Sequence, residues 1–260
     1  MPTALITGAS SGIGLELAIC FAADKHDLIL VARRADLLNE FAETLRDRYR
    51  VQVDIVPIDL ANSDAAQTLY DRVKSLGRDI EFLVNDAGFG DYGLFVGQDW
   101  TRMSQMITLN IETLTHLTHL CAREMIRRKR GRIMNVASIA GFQPCPTTAV
   151  YAATKAYVLS FTEALHNELR GTNVTATALC PGPTHSGFQQ AANMNGSALF
   201  KGIGVMTSGN VASIGYRGMM RGKAVVVPGI MNTLLTQSVR LSPRIVTPFV
   251  SRFLMRRTKE

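Results

Sequence analysis

Tyr151 and Lys155 stand four residues apart in Tyr151-Ala152-Ala153-Thr154-Lys155. Residues at that spacing share one face of a helix, so the phenol and the ammonium point the same way. A free tyrosine titrates near pH ~10 and is a poor proton donor or acceptor at neutrality. A fixed positive charge beside it favours the phenolate and is expected to pull its pKa toward the working range. Ser138 ends an apolar stretch, Arg132 to Ala137, and brings a hydroxyl suited to the same substrate oxygen. Alone, the pair fits an exposed helical Tyr and Lys with no chemistry equally well. Its company decides between the two readings.

That company is a chain in which apolar strands alternate with helical patterns from end to end. The strands fall near 3–7, 27–32, 52–57, 80–85, 132–138, 174–180 and 224–228. The helices fall near 12–24, 36–49, 63–76, 100–129, 149–170 and 208–221. Such alternation predicts a doubly wound, Rossmann-type α/β fold, a parallel sheet of about seven strands with helices on both faces. No repeat or low-complexity linker interrupts it, so residues 1–260 read as a single domain. Between the first strand and helix lies Thr7-Gly8-Ala9-Ser10-Ser11-Gly12-Ile13-Gly14. Glycines there let the backbone approach a pyrophosphate at the helix N-terminus, and Ser10 and Ser11 add hydroxyls for phosphate or for capping. The second strand ends in Arg33-Arg34. A site for NAD usually carries an acid at that point, whereas arginine accommodates the 2′-phosphate of NADP, so NADP is expected over NAD.

Thr7-Gly8-x-x-x-Gly12-x-Gly14, Asp59-Leu60, Asn85-Asp86-Ala87-Gly88, Asn110, Ser138, Tyr151-x-x-x-Lys155 and Pro181-Gly182 occur in this order. Together they resemble the short-chain dehydrogenase/reductase superfamily over roughly residues 1–188. The resemblance implies an NAD(P)-dependent oxidoreductase interconverting a carbonyl and a secondary alcohol. It implies that Tyr151 is the acid/base, that Ser138 polarises the carbonyl, and that Lys155 holds the nicotinamide ribose and lowers the tyrosine pKa. Asn110 would anchor a water that relays protons through Lys155. Gly8, Ser10, Ser11, Gly12, Ile13 and Gly14 would form the phosphate turn. Asp59 would bind the adenine amino group, with a backbone contact from Leu60. Asn85, Ala87 and Gly88 would line the cofactor, and Pro181, Gly182, Thr184 and Ser186 would meet the carboxamide end. Two positions depart from the family pattern: Asp86 stands for a second Asn, and Ser186 for a Thr. The rival from another class is a sensor or scaffold that binds NADP without useful catalysis, which would be expected to lose Tyr151 or Lys155.

The rest of the chain bounds the setting. The first strand starts at the N-terminus, which leaves no room for a signal peptide, and no apolar run reaches the ~18 residues of a membrane span. Four scattered cysteines read as free thiols in a reducing cytoplasm. Arg127-Arg128-Lys129-Arg130 closes a helix, where cations suit the dipole, and a nucleic-acid partner is not expected. His116, His119 and Cys121 lie within an apolar helical pattern and read as packing, with no metal site. The long helices near 100–129 and 149–170 are those that the resemblance pairs between subunits, as homodimer or homotetramer. Residues 187–200 carry no charge; the resemblance makes 186–206 a substrate lid, with Phe188, Met194, Leu199 and Phe200 suited to an apolar substrate. A plain loop with a few core contacts fits nearly as well.

Charge is distributed unevenly. Residues 1–168 hold 17 Lys/Arg against 20 Asp/Glu, while residues 169–260 hold 11 against one, Glu260. Residues 230–260 form a basic helical extension. In it Ile245, Val246, Phe249, Val250, Phe253 and Leu254 fall on one helical face, with Pro248 a point at which it could break. Arg244, Arg252, Arg256, Arg257 and Lys259 flank or follow that face. Peripheral contact with an anionic membrane through 242–259 is one reading. Packing against another subunit or the body of the protein is the other.

Overall fold

The structure is a computed structural model that describes residues 1–185, 187, 192 and 204–254. Seven parallel strands form one sheet in the order β3-β2-β1-β4-β5-β6-β9. They are β1 (Thr3–Thr7), β2 (Asp27–Ala32), β3 (Val53–Pro57), β4 (Ile80–Asn85), β5 (Gly131–Val136), β6 (Val174–Leu179) and the short β9 (Val225–Val226). β1 stands third in this order, with β2 and β4 on either side, and the order reverses beside it. That reversal opens the crevice at the carboxyl ends of the strands where ligands bind in such sheets.

Central strands are apolar because both faces are covered. Leu5, Ile6, Leu28, Ile29 and Leu30 are fully buried. On one face pack α1 (Gly12–Ala23), α2 (Ala35–Tyr49) and α7 (Ser208–Met220), around Phe21, Phe82 and Tyr216. On the other lie α3 (Ala65–Ser75), α5 (Leu114–Arg127) and α6 (Ala149–Glu168). Helix α7 comes close to the sheet because Gly215 and Gly218 carry no side chain. A Cβ on Gly218 would stand 2.3 Å from Val226.

The predicted elements match in place, with three differences. The helix expected over 100–129 is α4 (Trp100–Ile107), a π-helical turn (Thr108–Thr113) and α5. The last strand is two residues long rather than five, since only Val225 and Val226 pair with β6. A second, two-stranded sheet joins β7 (Thr184–His185) to β8 (Met206–Thr207). It clasps the two ends of the segment expected to be a lid. Phe188, Met194, Leu199, Phe200 and Ser186 fall outside the described residues, as do Arg256, Arg257 and Lys259.

After β9 the chain runs into α8 (Ile230–Leu241) and α9 (Thr247–Leu254). Pro248 does not break the second of these. It sits in the first turn, where a missing N–H costs nothing and the fixed φ favours the helix.

Candidate active site

The phosphate turn forms because its glycines take shapes other residues avoid. Gly8 and Gly12 have φ of 72° and 61°, the left-handed region that a Cβ penalises. Gly14 is needed for closeness, since a Cβ there would lie 2.6 Å from the Gly8 carbonyl oxygen. The Thr7 hydroxyl accepts from the N–H groups of Asp86 and Ala87, each at 3.1 Å. That locks the end of β4 beside the turn.

Ser138 leaves the end of β5 and caps a short 3-10 helix, Ile139–Phe142, by accepting from Ala140 N–H at 3.1 Å. This turns its hydroxyl toward α6, where it hydrogen-bonds the Tyr151 phenol. Lys155, one turn on, is buried and donates to the Val136 carbonyl at 2.7 Å. Its Nζ lies 5.9 Å from the Tyr151 ring centre. Three elements thus bring Ser138, Tyr151 and Lys155 together as the spacing predicted.

The electrostatics differ from the expectation. Burial pushes the Tyr151 phenol up to about 12, against the pull of its Ser138 hydrogen bond, and Cys145 and Asp86 raise it further. Lys155 is itself lowered to about 8 by burial, with Asp86 opposing. The expectation that Lys155 lowers Tyr151 is therefore corrected. A buried ammonium turned to a backbone carbonyl, with an acid nearby, does not offset the desolvation of the phenol. Tyr151 keeps its proton at neutral pH. Asp86 is raised to about 7 by burial, held down in part by Lys155 and by the Gly14 N–H.

One cavity of about 1350 Å3 joins these groups to the glycine turn. At one end it is lined by Gly8, Ser10, Ser11, Gly12, Ile13, Arg33, Arg34, Asp59 and Leu60. Asp86, Ala87 and Gly88 line its middle, and Ser138, Tyr151, Lys155, Pro181, Gly182 and Thr184 the other end. Arg33 lies 4.0 Å from the Asp59 carboxylate, and Arg34 donates to Ser10 Oγ at 3.4 Å. The donor set fits a dinucleotide: a glycine turn with exposed hydroxyls, two arginines at one end, and a hydroxyl pair with a lysine at the other.

Three expected residues do not reach the cavity. Asn85 is buried and points into the core, where its amide donates to Thr118 Oγ1 and Asn135 Oδ1, both at 2.9 Å. Asn110 is equally buried, in the π-helical turn. Its amide group spans the Phe89 main chain, accepting from N–H at 3.3 Å and donating to the carbonyl at 3.0 Å, and it also donates to Thr154. It clamps the turn at Gly88, whose missing Cβ would stand 2.9 Å from Asn110 Oδ1 and 3.6 Å from Lys155 Nζ. Gly14 shapes the turn from behind and does not line the cavity.

Sequence reasoning missed the opposite wall. Leu235, Thr236 and Val239 from α8, Val246 from the turn after it, and Val250 and Phe253 from α9 line the same cavity. Asn232, buried in α8, fills the space above Gly182, where a Cβ would lie 2.5 Å from its amide. The available signal was Asn232 and Thr236, two polar residues one helical turn apart and so on one face of the stretch from Ile230 to Leu241. Among the described residues no three His, Cys, Asp or Glu side chains converge as a metal site would require. The four cysteines are free.

Comparison with known proteins agrees with this geometry. The family model described as short chain dehydrogenase matches residues 2–196. Sulfoacetaldehyde reductase 2 of Chromohalobacter salexigens is 37% identical over 192 residues, 71% of this chain and 73% of that protein. The human very-long-chain 3-oxoacyl-CoA reductase is 30% identical over 184 residues, 68% of this chain. The match spans only 58% of the human protein's length. Among solved structures, a short-chain dehydrogenase from Sphingobium yanoikuyae in complex with NADPH is 32% identical. It superposes with a TM-score of 0.82 over 94% of this chain and 97% of that one. The chain belongs to the short-chain dehydrogenase family.

Proposed function

We propose that this protein is an oxidoreductase that interconverts a carbonyl and a secondary alcohol with NADP, on an apolar substrate. The observation that carries the reading is a single cavity that holds Ser138, Tyr151 and Lys155 at one end and the glycine turn with Arg33 and Arg34 at the other. A nicotinamide bound along it supplies or takes the hydride. Tyr151 Oη, protonated at neutral pH, is in the state needed to give a proton to a nascent alkoxide. Ser138 Oγ holds the substrate oxygen against that phenol. Lys155 holds the nicotinamide ribose, and Asn110 supports the turn beneath it. The preference for NADP rests on two guanidinium groups beside Ser10 and Asp59, since such groups bind phosphate strongly and with defined geometry. The apolar preference rests on Leu235, Val239, Val246, Val250 and Phe253 in the cavity wall. Residues 186–206, the substrate lid that the resemblance implies, belong to the same reading.

Association through α5 and α6 belongs to the same reading. Ile126 and Tyr157 are exposed on these helices, and Tyr157 stacks on Phe161. Four free thiols suit a reducing, cytoplasmic compartment.

The test is turnover with a panel of ketones, aldehydes and alcohols. Tyr151→Phe should lower kcat about a hundredfold or more, as loss of a general acid does, while cofactor binding survives. A Tyr151→Phe enzyme as fast as the parent would sink the assignment. Cofactor binding without turnover of any substrate would leave a sensor or scaffold.

A further inference from the structure

Helices α8 and α9 are amphipathic in the inverse sense. Their buried positions are polar: Asn232 and Thr236 in α8, Thr247 and Ser251 in α9. Each pair is one turn apart and so marks one face. These side chains hydrogen-bond inward, Asn232 to the Pro228 carbonyl and Ser251 to the Pro144 carbonyl, both at 2.7 Å. Apolar residues outside the cavity wall, with Phe253 at its edge, face outward. Ile245 is 75% exposed, Phe249 72%, Phe253 69% and Leu241 90%. Half of the large apolar residues that are exposed, among the described ones, lie between Ile230 and Phe253. Soluble proteins rarely leave such a face uncovered.

The charge around the face says what covers it. Arg240, Arg244 and Arg252 are exposed beside it, and no acid occurs between Glu168 and Glu260. A second copy docked symmetrically on this face would bring two sets of these arginines together, and residues 169–259 supply no carboxylate to meet them. An anionic lipid surface meets all of them and takes up the apolar face as well. The face is also the outer side of the cavity wall, since Val246, Val250 and Phe253 line the cavity too.

We infer that α8 and α9 dock this protein on an anionic bilayer, with the cavity opening toward the lipid. Delivery of an apolar carbonyl compound from the bilayer rests on the oxidoreductase reading; docking itself does not.

The experiment is co-sedimentation of the full chain with vesicles of phosphatidylcholine alone and of phosphatidylcholine with an equal part of phosphatidylserine. Turnover of a small water-soluble carbonyl is measured in parallel. Binding is expected to need phosphatidylserine. Replacing Arg244 and Arg252 by Gln should weaken it roughly tenfold or more. An Ile245→Asp, Phe249→Asp pair, exposed and outside the cavity wall, should abolish it, with circular dichroism and turnover unchanged. Equal binding to both vesicles, or binding that survives the Asp pair, overturns the inference. So does a dimer that the Asp pair dissociates, with no vesicle binding. Vesicle binding by a chain that turns over no carbonyl counts against the oxidoreductase reading alone.

Discussion

Asp86 shows how one residue can set the protonation of a site without touching the reacting bond. Its half-buried side chain lies against the glycine turn and within the field of Lys155, with the Gly14 N–H as donor. Its charge raises both Lys155 and Tyr151. The sign of a substitution follows. Asp86→Asn keeps the shape and an acceptor for Gly14 and removes the anion, so both groups lose their protons at lower pH. The alkaline limb of the pH–activity profile should therefore move toward acid, and the titration of Asp86 near 7 should vanish from it. Profiles that overlay for parent and variant would show that Asp86 does not act on the pair. At this scale the sequence was informative about identity and poor on environment. The spacing of Tyr151 and Lys155, and Ser138 at the end of β5, put the three groups together correctly. Nothing in a list of residues reports that burial outweighs charge at Tyr151.

Between elements, the same split recurs in the polar network under the site. Asn85 at the end of β4 and Asn135 on β5 meet side by side in the sheet, and Asn135 reaches across to Thr162 of α6 at 3.0 Å. This pins a strand pair to two helices through groups that are fully buried. Asn135→Ala removes the acceptor for Asn85 and the donor to Thr162. Leaving such groups unsatisfied costs about 1–3 kcal/mol each. The urea midpoint should fall by the corresponding amount while the slope of the transition stays unchanged. A midpoint within error of the parent would show that the network adds nothing to stability. The strands and helices themselves were legible because their periodicity is a local property, and Thr3–Thr7 and Asp27–Ala32 were read without error. The π-helical turn at Thr108–Thr113 was not. It carries Asn110, which bonds the Phe89 main chain, a tertiary contact that local periodicity does not report. Nor was the turning of Asn85 into the core, since family pattern reports an Asn and not its direction.

Across the whole molecule, the cavity is shared by distant parts of the chain. The glycine turn lies in the first 14 residues, the proton-transfer groups lie at 138–155, and the far wall comes from α8 and α9. That wall was read from sequence as an extension rather than as part of the site. Its polar residues pack inward, which reverses the usual rule that a helix buries its apolar face. A ligand bound along the cavity therefore ties both ends of the chain to the sheet. Binding to the native state alone stabilises by about 2.7 kcal/mol at a free concentration of 100 Kd. For a domain of this size that corresponds to a rise in Tm of about 5–10 °C. NADPH should produce this rise at concentrations where NADH produces much less, because only NADPH carries the 2′-phosphate that Arg33 and Arg34 are set to meet. Replacing both arginines by Ser should bring the NADPH curve down to that of NADH and leave the NADH curve nearly unmoved. Equal losses for the two cofactors would mean that the arginines act on the whole nucleotide and do not read the 2′-phosphate.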